Sequence, residues 1–507
     1  MKEILDYRDV KQNELRAHTF FKWMNSEGPP LNDKFQFMPI MIIFVMNFRD
    51  MNKWVIRFDD SDNELKAVIN SSTTEDETHS RLFLEDWRKF HFDDHLDWKP
   101  SDVLWWLFLA DDTEPFRRFG VDFMRLCVDD NNDPLMRFAH SEAGEACGHV
   151  FFENIAPLAE KLSIQNGLNY RYFGMHHLEL ETGHVLESEG VFEHETLTAA
   201  QRQTGLNLAE RMFTIFDGIH DSFYAYVEKY CEANTTPVRN CNRKNSRAAE
   251  HEAEEDVIST PSLNDASQVD SSQSALQNHL NMRKEEIENH EFFHWMKETP
   301  LPAVKKLQRF IPLWAVDIFG YRDLNKYAMK YKNPVNNLEK QTNRIASNLS
   351  NHSQLFLQDW IELELDELIS WPVSDMLDFL FLDYMMDTHR ENLIKFGMLA
   401  LKYKDPVVRL WFMDILEASG HSFFRNTREL ALEAEKNENI CLDYLADRHL
   451  ITHQKYDTTL DADIKQLNVT KENKKIIDSL IDIVFDALTK NLDLSLFAAK
   501  SNKFSIR

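Results

Sequence analysis

Apolar residues recur every three to four positions along most of the chain, which is the spacing of an amphipathic helix. The segment ERMFTIFDGIHDSFYAYVEKY at 210–230 is typical. One helix is predicted to end near Asn166-Gly167, because glycine favours the backbone conformation that closes a helix. HSRLFLEDW and SDVLWWLFLAD also predict helices, with Ser101 or Asp102 as the cap of the second. The pattern predicts an all-α protein.

The longest apolar run is FMPIMIIFVMNF at 37–48. It is too short to span a bilayer and it contains a proline. We interpret it as a buried core helix.

Several segments of the chain occur twice, at an offset of 272 or 273 residues. The pairs are HTFFKWM at 18–24 and HEFFHWM at 290–296, FRDMNKW at 48–54 and YRDLNKY at 321–327, HSRLFLEDW at 79–87 and HSQLFLQDW at 352–360, SDVLWWLFL at 101–109 and SDMLDFLFL at 374–382, and EACGHVFFEN at 145–154 and EASGHSFFRN at 417–426. This period is too long for a solenoid repeat. It indicates a duplicated domain, and we expect two helical bundles in tandem.

The segment between the copies, 232–285, is poor in apolar residues and rich in Ser, Asn, Glu and Asp. Such a composition cannot build a core, so a flexible linker is predicted. The expected domains are 1–231, which we term the first copy, and 286–507, the second copy.

Composition supports the helical prediction. The chain has 507 residues, 43% of them hydrophobic, but only 13 Gly and 15 Pro. Loop-rich β folds use more turn residues than this.

The formal net charge of −27 argues against nucleic acid and anionic membranes as primary partners. The N-terminal residues are charged and lack the apolar segment of a secretion signal. The five cysteines form no CxxC pair, which indicates reduced thiols and a cytoplasmic protein. They are at positions 127, 147, 231, 241 and 441.

Titratable residues concentrate on three predicted helices of the first copy, including MHHLELETGHVLE at 175–187. On each helix, one face combines carboxylates with imidazoles. The three sets are Glu142, Glu145 and His149; His177, Glu181 and His184; and Asp217 and His220.

Carboxylates buried together repel one another unless cations neutralise them. Mixed histidine and carboxylate ligands inside a helical bundle are the way that diiron and dimanganese sites are built. The three helices therefore predict a metal site, although each set alone also fits a solvated helix surface.

These motifs resemble those of the haem-oxygenase-like diiron oxidase and oxygenase superfamily. Its members have a Glu with a His seven residues later, then a lone Glu, then His-x3-Asp-x2-His. In this chain Glu142 and His149 match the first pair, Glu181 matches the lone Glu, and Asp217 and His220 match Asp-x2-His.

One position departs from this pattern, because Phe213 stands where the family has its other histidine. His184 is the expected substitute as the sixth ligand. The resemblance implies a haem-oxygenase-like bundle that binds two iron ions, with manganese as an alternative. It also implies catalytic roles for Glu142, Glu181 and Asp217.

The reaction implied is oxidation of a small organic substrate by O2, such as an amine, an amino acid or a fatty acid. Trp105, Trp106 and Phe108 are expected to form an apolar wall beside the substrate.

The second copy retains only part of the ligand set. His149 aligns with His421, but His184 aligns with Tyr456 and, through FDGI and FDAL, His220 aligns with Thr489. We therefore expect a degenerate copy that serves as a lid, a regulatory unit or a dimerisation partner. The other aligned positions are Asp414, Glu417, His449, His453 and Asp486.

Three other interpretations remain open. The chain fits a non-catalytic helical scaffold that binds a ligand or a partner, as a homodimer or with its two copies packed together. Cys147 raises a thiaminase-type enzyme of the same fold, with a cysteine nucleophile. His18 is a haem ligand by position only.

Overall fold

The structure is a computed structural model that describes residues 1–179, 195–239, 271–350, 353–446, 464 and 467–504. Within these ranges every regular element is a helix, so the predicted all-α fold is confirmed. No helix there combines the length and the apolar composition that crossing a membrane requires.

Ten α-helices build the first copy, and residues 175–179 are also helical. They are α1 (Lys2–Leu15), α2 (Thr19–Met24), α3 (Met38–Met51), α4 (Glu64–Asp76), α5 (His79–Lys89), α6 (Phe92–Leu96), α7 (Pro100–Phe108), α8 (Glu114–Asp129), α9 (Pro134–Asn166) and α10 (Ala199–Tyr226). Shorter turns of 3₁₀ or π helix lie at Asp33–Phe35, Asn52–Ile56, Asp111–Thr113 and Val227–Cys231.

The same order of helices recurs after residue 270. It runs α11 (Ser271–Glu288), α12 (Glu291–Glu298), α13 (Ala303–Leu307), α14 (Ala315–Asp323), α15 (Asn337–Leu349), α16 (Ser353–Glu362), α17 (Leu365–Ile369), α18 (Val373–Leu382), α19 (Tyr384–Lys402), α20 (Pro406–Glu438) and α21 (Lys471–Ser501). A 3₁₀ turn at Ile311–Trp314 precedes α14 and a π turn at Leu324–Ala328 follows it.

The boundary of the predicted linker needs correction. Its last part, 271–285, belongs to helix α11, which packs on α21 as α1 packs on α10. The second copy thus begins near Ser271 rather than at 286. Residues 240–270 lie outside the description.

Local signals explain several helix ends. Helix α9 begins after Asp133, whose side chain accepts a hydrogen bond from the Leu135 amide. It ends at Gly167 with φ +66°, as predicted. The expected cap of α7 is wrong, since Asp102 is the third helical residue and accepts from the Lys99 amide. The apolar run 37–48 falls mostly within the buried α3, as expected.

The two copies contact each other through reciprocal hydrogen bonds. The Ser101 amide and hydroxyl donate to Asp366 at 2.8 and 2.6 Å. The Ser374 amide and hydroxyl donate to Asp93 at 2.8 and 2.7 Å. The two pairs are related by an exchange of roles at the 273-residue offset. An isologous interface, in which one patch meets its own equivalent, has this property.

Ion pairs repeat the exchange. Arg390 Nε lies 2.8 Å from Asp50 Oδ2, and Arg117 Nε lies 3.4 Å from Asp323 Oδ2. Lys53 and Lys326 likewise bind Asp387 and Glu114 of the opposite copy at 2.7 and 2.8 Å. The buried hydrophobic residues form one cluster through both copies.

Candidate metal centre

Glu142 is buried on α9 and is held by helix α1. The Arg8 Nη1 atom donates to its Oε2 atom at 2.9 Å, and both side chains are under 10% exposed. This guanidinium supplies the positive charge that a buried carboxylate requires.

His149 and Asp217 lie nearer to solvent. The side chain of His149 is 26% exposed, with Nε2 3.6 Å from Glu153 Oε2. Partial burial lowers the pKa of His149. Asp217 is 61% exposed, and its Oδ1 atom lies 3.9 Å from His18 Nε2.

His220 is buried among aromatic rings. Its Nδ1 atom donates to the Phe216 carbonyl at 2.7 Å, and its ring centroid lies 4.7 Å from that of Phe21. Burial without a countercharge lowers the pKa of His220 to about 3, so the ring is neutral. The contacts are those of a core histidine.

The relative height of α9 and α10 explains why these predicted ligands lie apart. The two helices run side by side in the same direction, since Gly144 packs on Met212 and Phe151 contacts His220. Glu142 is therefore level with residue 210. Asp217 lies seven residues farther on, roughly 10 Å along the axis. The other two predicted ligands, Glu181 and His184, fall outside the described residues.

The predicted substrate wall is also dispersed. Trp106 is a core residue whose indole donates to the Pro39 carbonyl at 2.8 Å. Phe108 stacks on Phe319 of the second copy with ring centroids 5.0 Å apart. The cavity beside Glu142 has other apolar walls.

A cluster that the sequence analysis passed over lies where α4 ends and α5 begins. His177 Nε2 lies 3.1 Å from His79 Nδ1, and His79 Nδ1 lies 3.9 Å from Asp76 Oδ1. These three side chains are at most 5% exposed. His79 opens the repeated HSRLFLEDW motif, which we had used only as a mark of duplication.

The histidine tautomer suits metal binding. The Nδ1 atom of His177 donates to the Tyr172 carbonyl at 2.9 Å, which leaves the lone pair on Nε2. Metal-bound histidines usually anchor their second nitrogen in this way. Two ligands roughly 2.1 Å from one metal at right angles would be about 3 Å apart, close to the His79–His177 separation.

Asp76 and Glu142 line the same cavity, which measures about 490 Å³, together with Glu145. Its remaining walls are largely apolar. They include Phe48, Ile56, Val68, Phe123, Phe138 and Met212. Carboxylates from α4 and α9 therefore meet at one cavity, beside the two histidines that Asp76 adjoins.

A second titratable cluster is structural. Among the described residues, Cys127, Asp130 and His140 form the only group of three such ligand atoms within 4.8 Å of one another. The Arg137 guanidinium binds both oxygens of Asp130 at 2.7 and 3.0 Å. A cation already fills the place that a metal would take.

The cysteine and haem interpretations lose support. Cys147 is fully buried, and burial raises the pKa of its thiol well above the usual value, so no thiolate nucleophile forms. Both nitrogens of His18 are engaged, one by the Phe20 amide and one by Asp221 at 3.2 Å.

The second copy aligns differently from the expected FDGI and FDAL match. His18 pairs with Asp221, and its equivalent His290 pairs with Asp493 at 3.3 Å. This 272-residue offset makes Leu492 the equivalent of His220. Asp486, expected to be the equivalent of Asp217, is 62% exposed and bound to Arg283.

The remaining second-copy candidates are only partly described. Asp414 and His421 are half-buried. His449, His453 and Tyr456 lie outside the described residues.

Comparison of the chain with protein-family models gives no match, and none of the curated proteins matches it. The resemblance to diiron oxygenases thus rests on the quoted motifs, and the function has to be inferred from geometry.

Proposed function

We propose that the protein is a non-haem metal-dependent oxidase or oxygenase that uses O2, with its metal centre in the first copy. The ligands we assign are Asp76, His79, Glu142 and His177, with Glu181 and His184 as the sequence expectation for the remainder. The observation that carries the proposal is the buried pair of imidazole nitrogens 3.1 Å apart beside a carboxylate.

The donor set suits iron or manganese. Imidazole nitrogen and carboxylate oxygen are the ligands of non-haem iron, whereas structural zinc favours cysteine. A bound pair of ferrous ions would supply the electrons for O2 activation. A dinuclear centre has metals about 3.5–4 Å apart, so its ligands spread beyond the compact radius of a mononuclear site.

The protein contributes charge balance and a dry cavity. Arg8 holds Glu142 in place, and the Tyr172 carbonyl orients His177. Apolar side chains dominate the rest of the cavity and exclude water from the reaction. A volume of about 490 Å³ suits a small organic substrate with an apolar body, such as an amine, an amino acid or a short fatty acid.

The test is anaerobic titration of the metal-free protein with ferrous ion, followed by exposure to oxygen under stopped-flow absorbance. We expect two irons per chain and a transient visible band. His79→Ala and His177→Ala should each abolish tight iron binding. Asp217→Asn is the matched control, because this exposed carboxylate should leave iron binding unchanged.

The opposite pattern would contradict the ligand assignment. Loss of iron in Asp217→Asn with full binding in His79→Ala would restore the set expected from sequence. Circular dichroism of each variant separates loss of a ligand from loss of the fold.

The alternative function is a non-catalytic helical scaffold. The ion pair between Arg8 and Glu142 favours it, because this carboxylate is already neutralised without a metal. Absence of specific iron binding in the titration would support the scaffold.

A further inference from the structure

The second copy contains a larger cavity, about 870 Å³ including its mouth. It occupies the place of the first cavity, since equivalent positions line both. The pairs are Phe48 and Tyr321, Asn52 and Asn325, Asp76 and Leu349, Phe123 and Phe396, Gly144 and Leu416, Glu145 and Glu417, and Met212 and Val484. The carboxylate of Asp76 is replaced by the apolar Leu349, so the second cavity lacks this metal ligand.

The second cavity extends deeper, to a buried carboxylate on α14. Asp317 lines the cavity and is 3% exposed. One of its oxygens accepts from Asn491 Nδ2 at 3.1 Å, and the other accepts from His389 Nδ1. Asn392 Nδ2 in turn donates to Asn491 at 3.1 Å. The carboxylate is thus held in a fixed position by neutral amides and one imidazole.

The charge of Asp317 is not balanced by a cation. No lysine or arginine of the described chain lies within ion-pair distance of it, and its only such partner there is His389. The Nε2 atom of His389 is buried and has no partner among the described residues. A protonated ring would leave that N–H unsatisfied, so His389 is neutral and the carboxylate retains its charge.

These polar residues are specific to the second copy. Alignment of the two YRD/FRD motifs places Phe44 at the position of Asp317. Arg117 and Arg390 both donate to the carbonyl of an equivalent leucine, which aligns His389 with Phe116 and Asn392 with Phe119. Asn491 takes the place of Ile219. An aromatic core in the first copy has become a polar pocket in the second.

We propose that this cavity binds a small organic ammonium ion, with Asp317 as its counter-charge. Two buried oxygens without partners among the described residues, Asn325 Oδ1 and Ser353 Oγ, lie in the same wall and can accept further N–H donors. Trp314, stacked on Phe423 with ring centroids 3.8 Å apart, offers a face for the apolar body or the cation itself. The proposal does not depend on metal in the first copy.

The test uses isothermal titration calorimetry on the full-length, metal-free protein. The probes are phenethylamine and its uncharged counterpart 2-phenylethanol. We expect one phenethylamine site per chain and at least tenfold weaker binding of the alcohol. Asp317→Asn should weaken the amine at least tenfold and leave the alcohol unchanged. Asp486→Asn, an exposed carboxylate of the same copy, should bind both probes as the unmodified protein does.

Equal affinity for the two probes, no amine binding at millimolar concentration, or an unchanged Asp317→Asn variant would overturn the proposal. If Asp317→Asn does not fold, Ser353→Leu decides. It narrows the cavity without touching the carboxylate, and it must weaken the amine at least tenfold. Failure of this experiment leaves iron binding in the first copy unaffected, so the two proposals fail separately.

Discussion

The two cavities lie at equivalent places in the two copies, yet they differ in where they put charge. The first combines Asp76 and Glu142 and adjoins two buried histidines. The second has Leu349 for Asp76 and carries its buried carboxylate on a different helix, at Asp317. Duplication thus kept the space and moved the charge, which is the physical basis for assigning metal to one copy and an organic cation to the other.

The contacts between the copies show the opposite behaviour. The Ser101–Asp366 and Ser374–Asp93 bonds are matched in partners and within 0.1 Å in length. Each surface residue acts in a contact that requires its equivalent in the other copy to keep a matching role. Cavity residues carry no such double constraint, so they can diverge independently.

The largest expected effect concerns the ion pairs between the copies. Arg390→Met should lower the free energy of unfolding by about 3–5 kcal/mol, because it removes the cation beside buried Asp50. The mirror change Arg117→Met should cost less, about 2 kcal/mol, because its contact with Asp323 is longer. Urea denaturation followed by circular dichroism measures both. A larger loss in Arg117→Met would reverse the asymmetry we infer.

A smaller effect should appear in acid. The pKa of His220 is lowered to about 3 in the folded state, below its ordinary 6.5, by burial. Between these values the unfolded state binds a proton and the native state does not, so stability falls as pH falls through 6.5. At pH 5 this loss is about 2 kcal/mol.

The equivalent of His220 is Leu492, so the leucine substitution is the natural control. His220→Leu should remove this share of the acid sensitivity, and Leu492→His should add to it. Melting temperatures at pH 7 and pH 5 measure both. An unchanged pH dependence in His220→Leu would show that this ring is not the source.

The smallest effect should come from the paired serines. Ser101→Ala and Ser374→Ala each remove one hydroxyl bond to a carboxylate of the opposite copy. Each should cost about 1–2 kcal/mol, and the two costs should agree closely. Unequal costs in urea denaturation would mean that the interface is less symmetric than its distances.

Several elements of the fold followed from the sequence. The helix that ends at Gly167 and the buried run 37–48 were both predicted, because helix closure and local hydrophobicity are properties of neighbouring residues. The start of the second copy was misplaced, since α11 is stabilised by packing on α21 and not by its own weak apolar pattern.

The candidate site was predicted less well. Spacing correctly places residues on one face of a helix, but it does not fix how far two helices slide past each other. That slide separates Asp217 from Glu142. The cluster of Asp76, His79 and His177 escaped the spacing argument because its members come from three segments joined only by folding.

The sequence by itself determined the all-α class, the duplicated segments and the concentration of titratable residues in the first copy. Periodicity and repetition are written along the chain, so they can be read without coordinates. Only the tertiary structure decided which carboxylates share a cavity, that His220 is a core residue and that Asp317 is a buried charge without a cation. Burial and the distance between segments far apart in sequence depend on packing, and no local pattern encodes them.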